Sequence, residues 1–387
     1  MWQSLSLKIQ FDKNRVYGLD ILRAFAVILI VITHGMSYTP TTFNKIIEAV
    51  YLDGVSIFFV LSGFLIGRIL IKTMSSENID FYTLLNFWSR RWLRTLPLYF
   101  FILSAIIFCY NYNQPPGPTF KRFYIFSQNI YTSHPAFFIE AWSLSVEEWF
   151  YLLIPLLLFV FVKFFKIKTA TSIAIISIAI LSFSTILRIE RYFDNLPITP
   201  LKQEMLFRMQ VITRLDSLMY GVLAAFISSY NNTLWIVNKG YKLIAGLLIL
   251  VINKLLTQIH QTEILVFYNT IFQFSFNAIG TAFLLPYLSN YKTGKGAIFK
   301  TITYISLISY SIYLINLTPM QDYIIPFINN FLAKIFTNKL ILKNIDIVIF
   351  YVLIFPLSVY SYKLIESPFI NLRSKFTFGK KASAPII

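Results

Sequence analysis

Ten apolar runs punctuate the chain, at about 17–38, 51–72, 95–112, 141–162, 169–187, 211–230, 241–258, 264–289, 301–319 and 344–364. As helices rising about 1.5 Å per residue, they match the roughly 30 Å hydrocarbon core of a bilayer. Two further patches, 120–138 and 320–337, are shorter or broken by proline and charge, and read as interfacial or re-entrant pieces. In lipid a helix satisfies its own backbone polar groups within one segment. The pattern therefore predicts an all-α integral membrane protein, a polytopic bundle of about ten transmembrane helices.

Composition agrees. Of 387 residues, 57% are hydrophobic, 18% aromatic and only 13% charged, and the mean hydropathy is +0.65. Such a chain has too few polar residues to cover a soluble globule. A net charge of +17 would suggest nucleic acid in a soluble protein, but here Lys and Arg fall in short loops between apolar runs and act as topology signals. About 21 lie on the side of the N-terminus and about 12 on the other, which predicts that both termini are cytoplasmic. The loop 188–214 runs against that bias, with Arg188, Arg191, Lys202, Arg208 and Arg214 on the outer side. It is either a solvated charged loop or a second site. Residues 1–372 are expected to form one membrane domain, and 373–387 a short basic cytoplasmic tail. Lys8, Lys13 and Arg15 precede the first run as they would in a signal peptide, but Arg23 interrupts it and no small-residue cleavage pattern follows, so it is read as a retained span. A single cysteine, Cys109, and three histidines at 34, 134 and 260 leave little for a disulfide or a metal site, and no metal is expected.

The first run, YGLDILRAFAVILIVITHGMSY, carries Asp20, Arg23 and His34. Ionisable groups in a span are costly and mark a functional site by default. Eleven residues at about 100° each bring His34 back to within roughly 20° of the Arg23 face, about 16 Å along the axis. Asp20 stands at the i,i+3 spacing from Arg23 that lets acid and base pair. Taken alone, the pair also fits an arginine snorkelling to one interface and a histidine ending the helix.

Other polar groups interrupt other runs. Arg90, Arg91 and Arg94, among Trp88 and Trp92, stand at the entrance to the third span, as a topology signal or as phosphate ligands. Ser62 and Gly63 in IFFVLSGFLI suit close helix packing. AWSLSVEEWFY opens the fourth span with Glu147 and Glu148, about 100° apart, so at least one faces the bundle. RLDSLMYG places Arg214, Asp216 and Gly221 at the outer end of the sixth. Basic residues at the inner mouth, a deeper histidine and carboxylates around it suggest group transfer across the membrane. Histidine suits a general base for a hydroxyl acceptor, and a nearby carboxylate would fix its tautomer. No serine or cysteine stands in a nucleophile motif, which favours direct transfer.

In order along residues 17–372, several motifs resemble the membrane-bound acyltransferase family 3. They are Gly18-Leu19-Asp20 with Arg23 and His34, FFVLSGFLI at 58–66, Arg91-Trp92-Leu93-Arg94, WSLSVEE at 142–148 with Phe150-Tyr151, RLDSL at 214–218 with Gly221, and ESPF at 366–369. The resemblance implies transfer of an acyl group, most often acetyl from acetyl-CoA, to a hydroxyl of an extracytoplasmic glycan such as lipopolysaccharide O-antigen, capsule, exopolysaccharide or peptidoglycan. It implies that Arg23 and His34 are essential and that Arg91 and Arg94 help with the donor. Some members carry an extra C-terminal hydrolase-like domain, which is not expected here. Where relatives commonly have a histidine, SYSIYLIN ends in Asn316, which hydrogen-bonds but takes no proton.

The expected donor set is therefore Arg23, Arg91, Arg94, Asp20 and Ser62, with Asp20 holding Arg23. The catalytic set is His34 with Glu147 or Asp216 orienting it, and Glu148, Arg214, Trp142, Tyr313 and Asn316 are further candidates. Expected partners are acetyl-CoA, a cell-surface glycan or lipid-linked sugar, and membrane lipids, with no nucleic acid, in a bacterial cytoplasmic membrane. The rivals are transfer of another acyl group such as succinyl, and transport of an anionic glycan or lipid conjugate, against which the absence of inverted halves counts.

Overall fold

The computed structural model describes residues 15–76, 79–113, 120–258, 262–336, 338–373, 375, 376 and 378. His260, Lys8, Lys13 and most of the predicted tail lie outside them. Among the described residues there is no strand; the architecture is an all-α polytopic bundle. Its main helices are α1 (Tyr17–Gly35), α2 (Gly54–Met74), α3 (Phe81–Asn113), α4 (Ala141–Phe159), α5 (Thr169–Asp194), α6 (Leu215–Tyr230), α7 (Lys239–Gln258), α8 (Glu263–Ile271), α9 (Gln273–Leu288), α10 (Gly296–Ile315) and α11 (Lys339–Ser361).

Every predicted run has a helical counterpart. Eight described helices are long and apolar enough to span, and the pair α8 and α9, bent by 56°, makes a ninth. The run at 211–230 corresponds to the 16-residue α6, about 24 Å at about 1.5 Å per residue and so shorter than a full span. The third helix begins at Phe81 rather than near 95, so the arginines at 90, 91 and 94 stand inside it. The patch 120–138 is helical only at Phe120–Tyr124. Its irregular backbone is tucked into the protein, where Tyr99 and Trp149 side chains donate to the Phe123 and Phe126 carbonyls, both at 2.9 Å. The patch 320–337 forms a π-helical turn, Thr318–Ile324, followed by a short helix, Ile325–Leu332.

With α8 and α9 taken as one bent span, successive spans run in alternate directions, and contacts at both faces fit this. At the near face, where α1 begins, the Tyr17 N–H donates to the Lys292 carbonyl between α9 and α10, and Thr169 at the start of α5 bonds to Met74 at the end of α2. At the far face, where α1 ends, Arg208 between α5 and α6 meets Asp53 at the start of α2. The centre is the α2–α6 crossing, and it depends on glycine. A Cβ on Gly63 would lie 1.9 Å from the Leu218 carbonyl oxygen, and one on Gly221 would lie 2.1 Å from that of Val60. This reciprocal seam brings two backbones into direct contact, as small residues do in membrane bundles.

Candidate functional site

Five helices, α1, α2, α3, α4 and α10, line a partly open cavity. Arg23 reaches it from α1, Ser62 from α2, Arg91 and Arg94 from α3, Glu147 from α4 and Tyr313 from α10. Six candidates scattered over 291 residues of sequence thus share one wall. Their charges do not balance. Arg91 and Arg94 both repel Arg23 while Asp20 attracts it; the cavity lining supplies one carboxylate, Glu147, and Glu366 acts on Arg94 from outside the lining. Such a site favours an anion with oxygens to receive several N–H donors.

Tyr151, which the sequence offers as part of a motif but without a role, organises this wall. Its hydroxyl donates to Glu147 Oε2 at 2.8 Å and accepts from Ser62 Oγ at 2.6 Å and Arg91 Nη2 at 3.1 Å. The Arg91 guanidinium also lies over the Tyr151 ring, 4.6 Å from its centre. Tyr151 is one helical turn after Glu147, so the i,i+4 spacing on α4 was the available signal. The two adjacent glutamates separate as their 100° offset requires: Glu147 lines the cavity, whereas Glu148 is buried and accepts from Thr95 Oγ1 at 2.9 Å.

Toward the far face the cavity wall ends at Ser143 and Tyr313, whose hydroxyls lie 2.5 Å apart. Asn316 follows Tyr313 by three residues, about 4.5 Å along the α10 axis, and hydrogen-bonds through Oδ1 to His34 Nδ1. Gln321 Nε2 donates to the His34 carbonyl at 2.7 Å. The imidazole partner is therefore Asn316, not Glu147 or Asp216. The reason is placement: Glu147 is spent on Tyr151, and Asp216 on Arg188.

Asp216 and Arg188 form a fully buried ion pair at 2.7 Å, with both side chains at 0% exposure. Ser275 Oγ donates to the same carboxylate oxygen at 3.3 Å. Asp20 likewise has another partner than expected. It pairs with Arg15 through two nitrogens and accepts from Ser306 Oγ at 2.7 Å. Arg15 reaches it from outside the helix, which frees Arg23 for the cavity.

The basic residues of the anomalous loop each have an internal partner. Besides Arg188, Arg191 donates to the Leu206 carbonyl at 2.9 Å, Lys202 to that of Asn195 at 2.7 Å, and Arg214 to Ser56 Oγ at 2.7 Å. Arg208 bridges Glu204 and Asp53 and lies 5.1 Å from the Trp142 ring centre. Burial alone would lower its pKa, but Glu204, Asp53 and Tyr51 outweigh that and raise it. Burial pushes the Glu140 carboxyl up to about 8, although Thr318 donates to it from both N and Oγ1. Among the described residues no group of three or more His, Cys, Asp or Glu could hold a metal ion.

The acyltransferase domain family matches residues 16–363, from the start of α1 to the turn that follows α11. The chain belongs to acyltransferase family 3. Its relatives within that wider group include O-acetyltransferase OatA of Staphylococcus aureus, 31% identical over 249 residues, which cover 57% of this chain and 36% of that protein. Another is peptidoglycan O-acetyltransferase OatA of Listeria monocytogenes, 29% identical over 174 residues, covering 41% of this chain and 26% of the relative. This acyltransferase family 3 chain thus spans about a third or less of the length of the curated relatives it matches. No solved structure is a significant match.

Proposed function

We propose that the protein is a membrane O-acyltransferase that moves an acetyl group from acetyl-CoA to a hydroxyl of a cell-envelope glycan. The observation that carries this is the arginine-lined cavity together with His34, which lies outside the cavity lining and whose Nδ1 is engaged by Asn316, three residues beyond the lining residue Tyr313. Arg23, Arg91 and Arg94 would hold the donor's anionic groups from the near face, which this reading places on the cytoplasmic side of a bacterial inner membrane. The acceptor would enter from the far face. The names of the relatives make peptidoglycan the first acceptor to test.

In this reading His34 is the general base. Its Nε2 takes the proton of the acceptor hydroxyl while the oxygen bonds to the thioester carbon, and the C–S bond then breaks. The CoA sulfur leaves as thiolate and takes the proton back from the imidazolium. The polar cavity wall supplies charge and orientation, not a covalent intermediate. His34→Ala should reduce acetyl transfer from labelled acetyl-CoA to peptidoglycan by at least about 100-fold, the usual scale of base catalysis. Insertion and donor binding should stay at wild-type levels. An H34A protein that acetylates normally in purified membranes would overturn the assignment.

A further inference from the structure

We propose that Asn316 is a positioning residue that locks His34 in the Nδ1–H tautomer and so reserves Nε2 for the acceptor's proton. This rests on the acyl-transfer reading above.

The argument starts from the amide. Asn316 is fully buried at the end of α10. Its Nδ2 donates to the Ile312 carbonyl at 2.9 Å and to the Tyr313 carbonyl at 2.8 Å. Both carbonyls belong to the last turn of α10, and that of Ile312 also accepts the Asn316 backbone N–H at 3.1 Å. Both amide protons are therefore spent within α10. Turning the amide over would aim Oδ1 at two carbonyl oxygens and lose both bonds. Hence Oδ1 is the atom that faces His34 Nδ1, and a carbonyl oxygen only accepts. Nδ1 must donate, and a neutral imidazole that carries its proton on Nδ1 bears its lone pair on Nε2.

The lock is itself braced. Tyr313 donates its hydroxyl to the Glu140 carbonyl at 2.9 Å, and Thr318 donates to the Glu140 carboxyl from N at 3.1 Å and from Oγ1 at 2.6 Å. The backbone is thus pinned on both sides of Asn316 by one residue at the start of α4. Asn316 also suits the chemistry. When Nε2 takes the hydroxyl proton, the imidazolium keeps donating from Nδ1 to the same oxygen, and no proton passes to the amide. A carboxylate in its place would face the Ile312 and Tyr313 carbonyls with oxygen and repel them.

Two variants of the full-length protein separate this role from mere packing. N316L keeps the number and branching of the side-chain heavy atoms and removes donor and acceptor alike. N316H restores one ring nitrogen that accepts and one N–H that donates. In N316L, kcat should fall about 100-fold with the KM for acetyl-CoA within about twofold, because only the base is disturbed. N316H should recover at least a tenth of the wild-type kcat. Independently of activity, nitrogen NMR of the ¹⁵N-histidine-labelled wild type in bilayers, with H34Q as the difference control, should show His34 protonated at Nδ1. A wild-type His34 protonated at Nε2, or an N316L enzyme with unchanged kcat, would overturn the proposal. A fully active H34A would instead overturn the base reading, while the NMR result would still decide the tautomer.

Discussion

Two places in this bundle bury arginine beside a carboxylate, and they do opposite things with it. At the α5–α6 contact, Arg188 and Asp216 are both at 0% exposure, 2.7 Å apart, with Thr213 and Ser275 taking up further valences. In the central cavity, Arg23, Arg91 and Arg94 face one lining carboxylate across open space. The first arrangement matches one charge to one charge. The second has positive charge to spare, and that surplus is what an anionic substrate would neutralise. A buried charge in a membrane span is thus a poor guide to function until its partner is known; what is informative is a cavity lining in which arginines outnumber carboxylates.

Asp216 provides the sharpest way to break this comparison. Asp216→Leu leaves Arg188 buried and uncompensated, which should cost about 3–5 kcal/mol. Little monodisperse protein should be recovered in detergent, and its melting temperature should drop steeply. Removing both charges, in R188M/D216L, should restore much of the lost stability, since a buried pair replaced by well-packed apolar residues is often neutral. A D216L protein that melts like wild type but has lost its activity would move Asp216 into the chemistry and dissolve the distinction.

The cavity arginines should show the opposite signature at a smaller scale. If Arg91 and Arg94 hold the proposed anionic donor, Arg91→Ala or Arg94→Ala would remove charge-assisted hydrogen bonds to it, each about 1.5–3 kcal/mol. The expected result is a KM for acetyl-CoA raised about 10- to 100-fold with melting little changed, measured by initial rates in proteoliposomes. Arg91→Lys should recover only part of this, because a point charge does not reproduce the fork that meets Tyr151 at two places. A large fall in melting temperature with KM unchanged would instead class these arginines with Arg188.

Much of this fold was legible in the apolar runs, since hydropathy reports which segments can face lipid, and all ten runs became helical. The same-face spacing of Arg23 and His34 was also legible, because both stand on one regular helix. Partner choice was not. Asn316 is 282 positions from His34, and no local period records that α10 ends beside the end of α1. Asp20 and Arg23 had ideal i,i+3 spacing, yet Arg15 takes Asp20 by folding back from outside the helix. The polar segment 81–94 hid the first turns of α3, because an amphipathic stretch at an interface looks like a loop to a hydropathy scale. Asn316 looked like the loss of a titratable group, and only its two bonds within α10 show what it supplies.

The smallest expected effect tests how the cavity wall is wired. Tyr151→Phe deletes one hydroxyl that serves Glu147, Ser62 and Arg91 together. The cavity has room for water to replace part of that network, so the cost should be near that of one ordinary hydrogen bond, about 0.5–1.5 kcal/mol. That is a fall of roughly 2- to 10-fold in kcat/KM, with the fold intact. Ser62→Ala should cost about as much, since the bond from Ser62 Oγ to Tyr151 is the same one that Y151F removes. If the two act through one network, the double variant S62A/Y151F should be little worse than Y151F alone, and a double-mutant cycle measures the shortfall. Strictly additive losses would mean that Ser62 and Tyr151 meet the substrate separately, and that the wall is a set of independent contacts rather than one connected array.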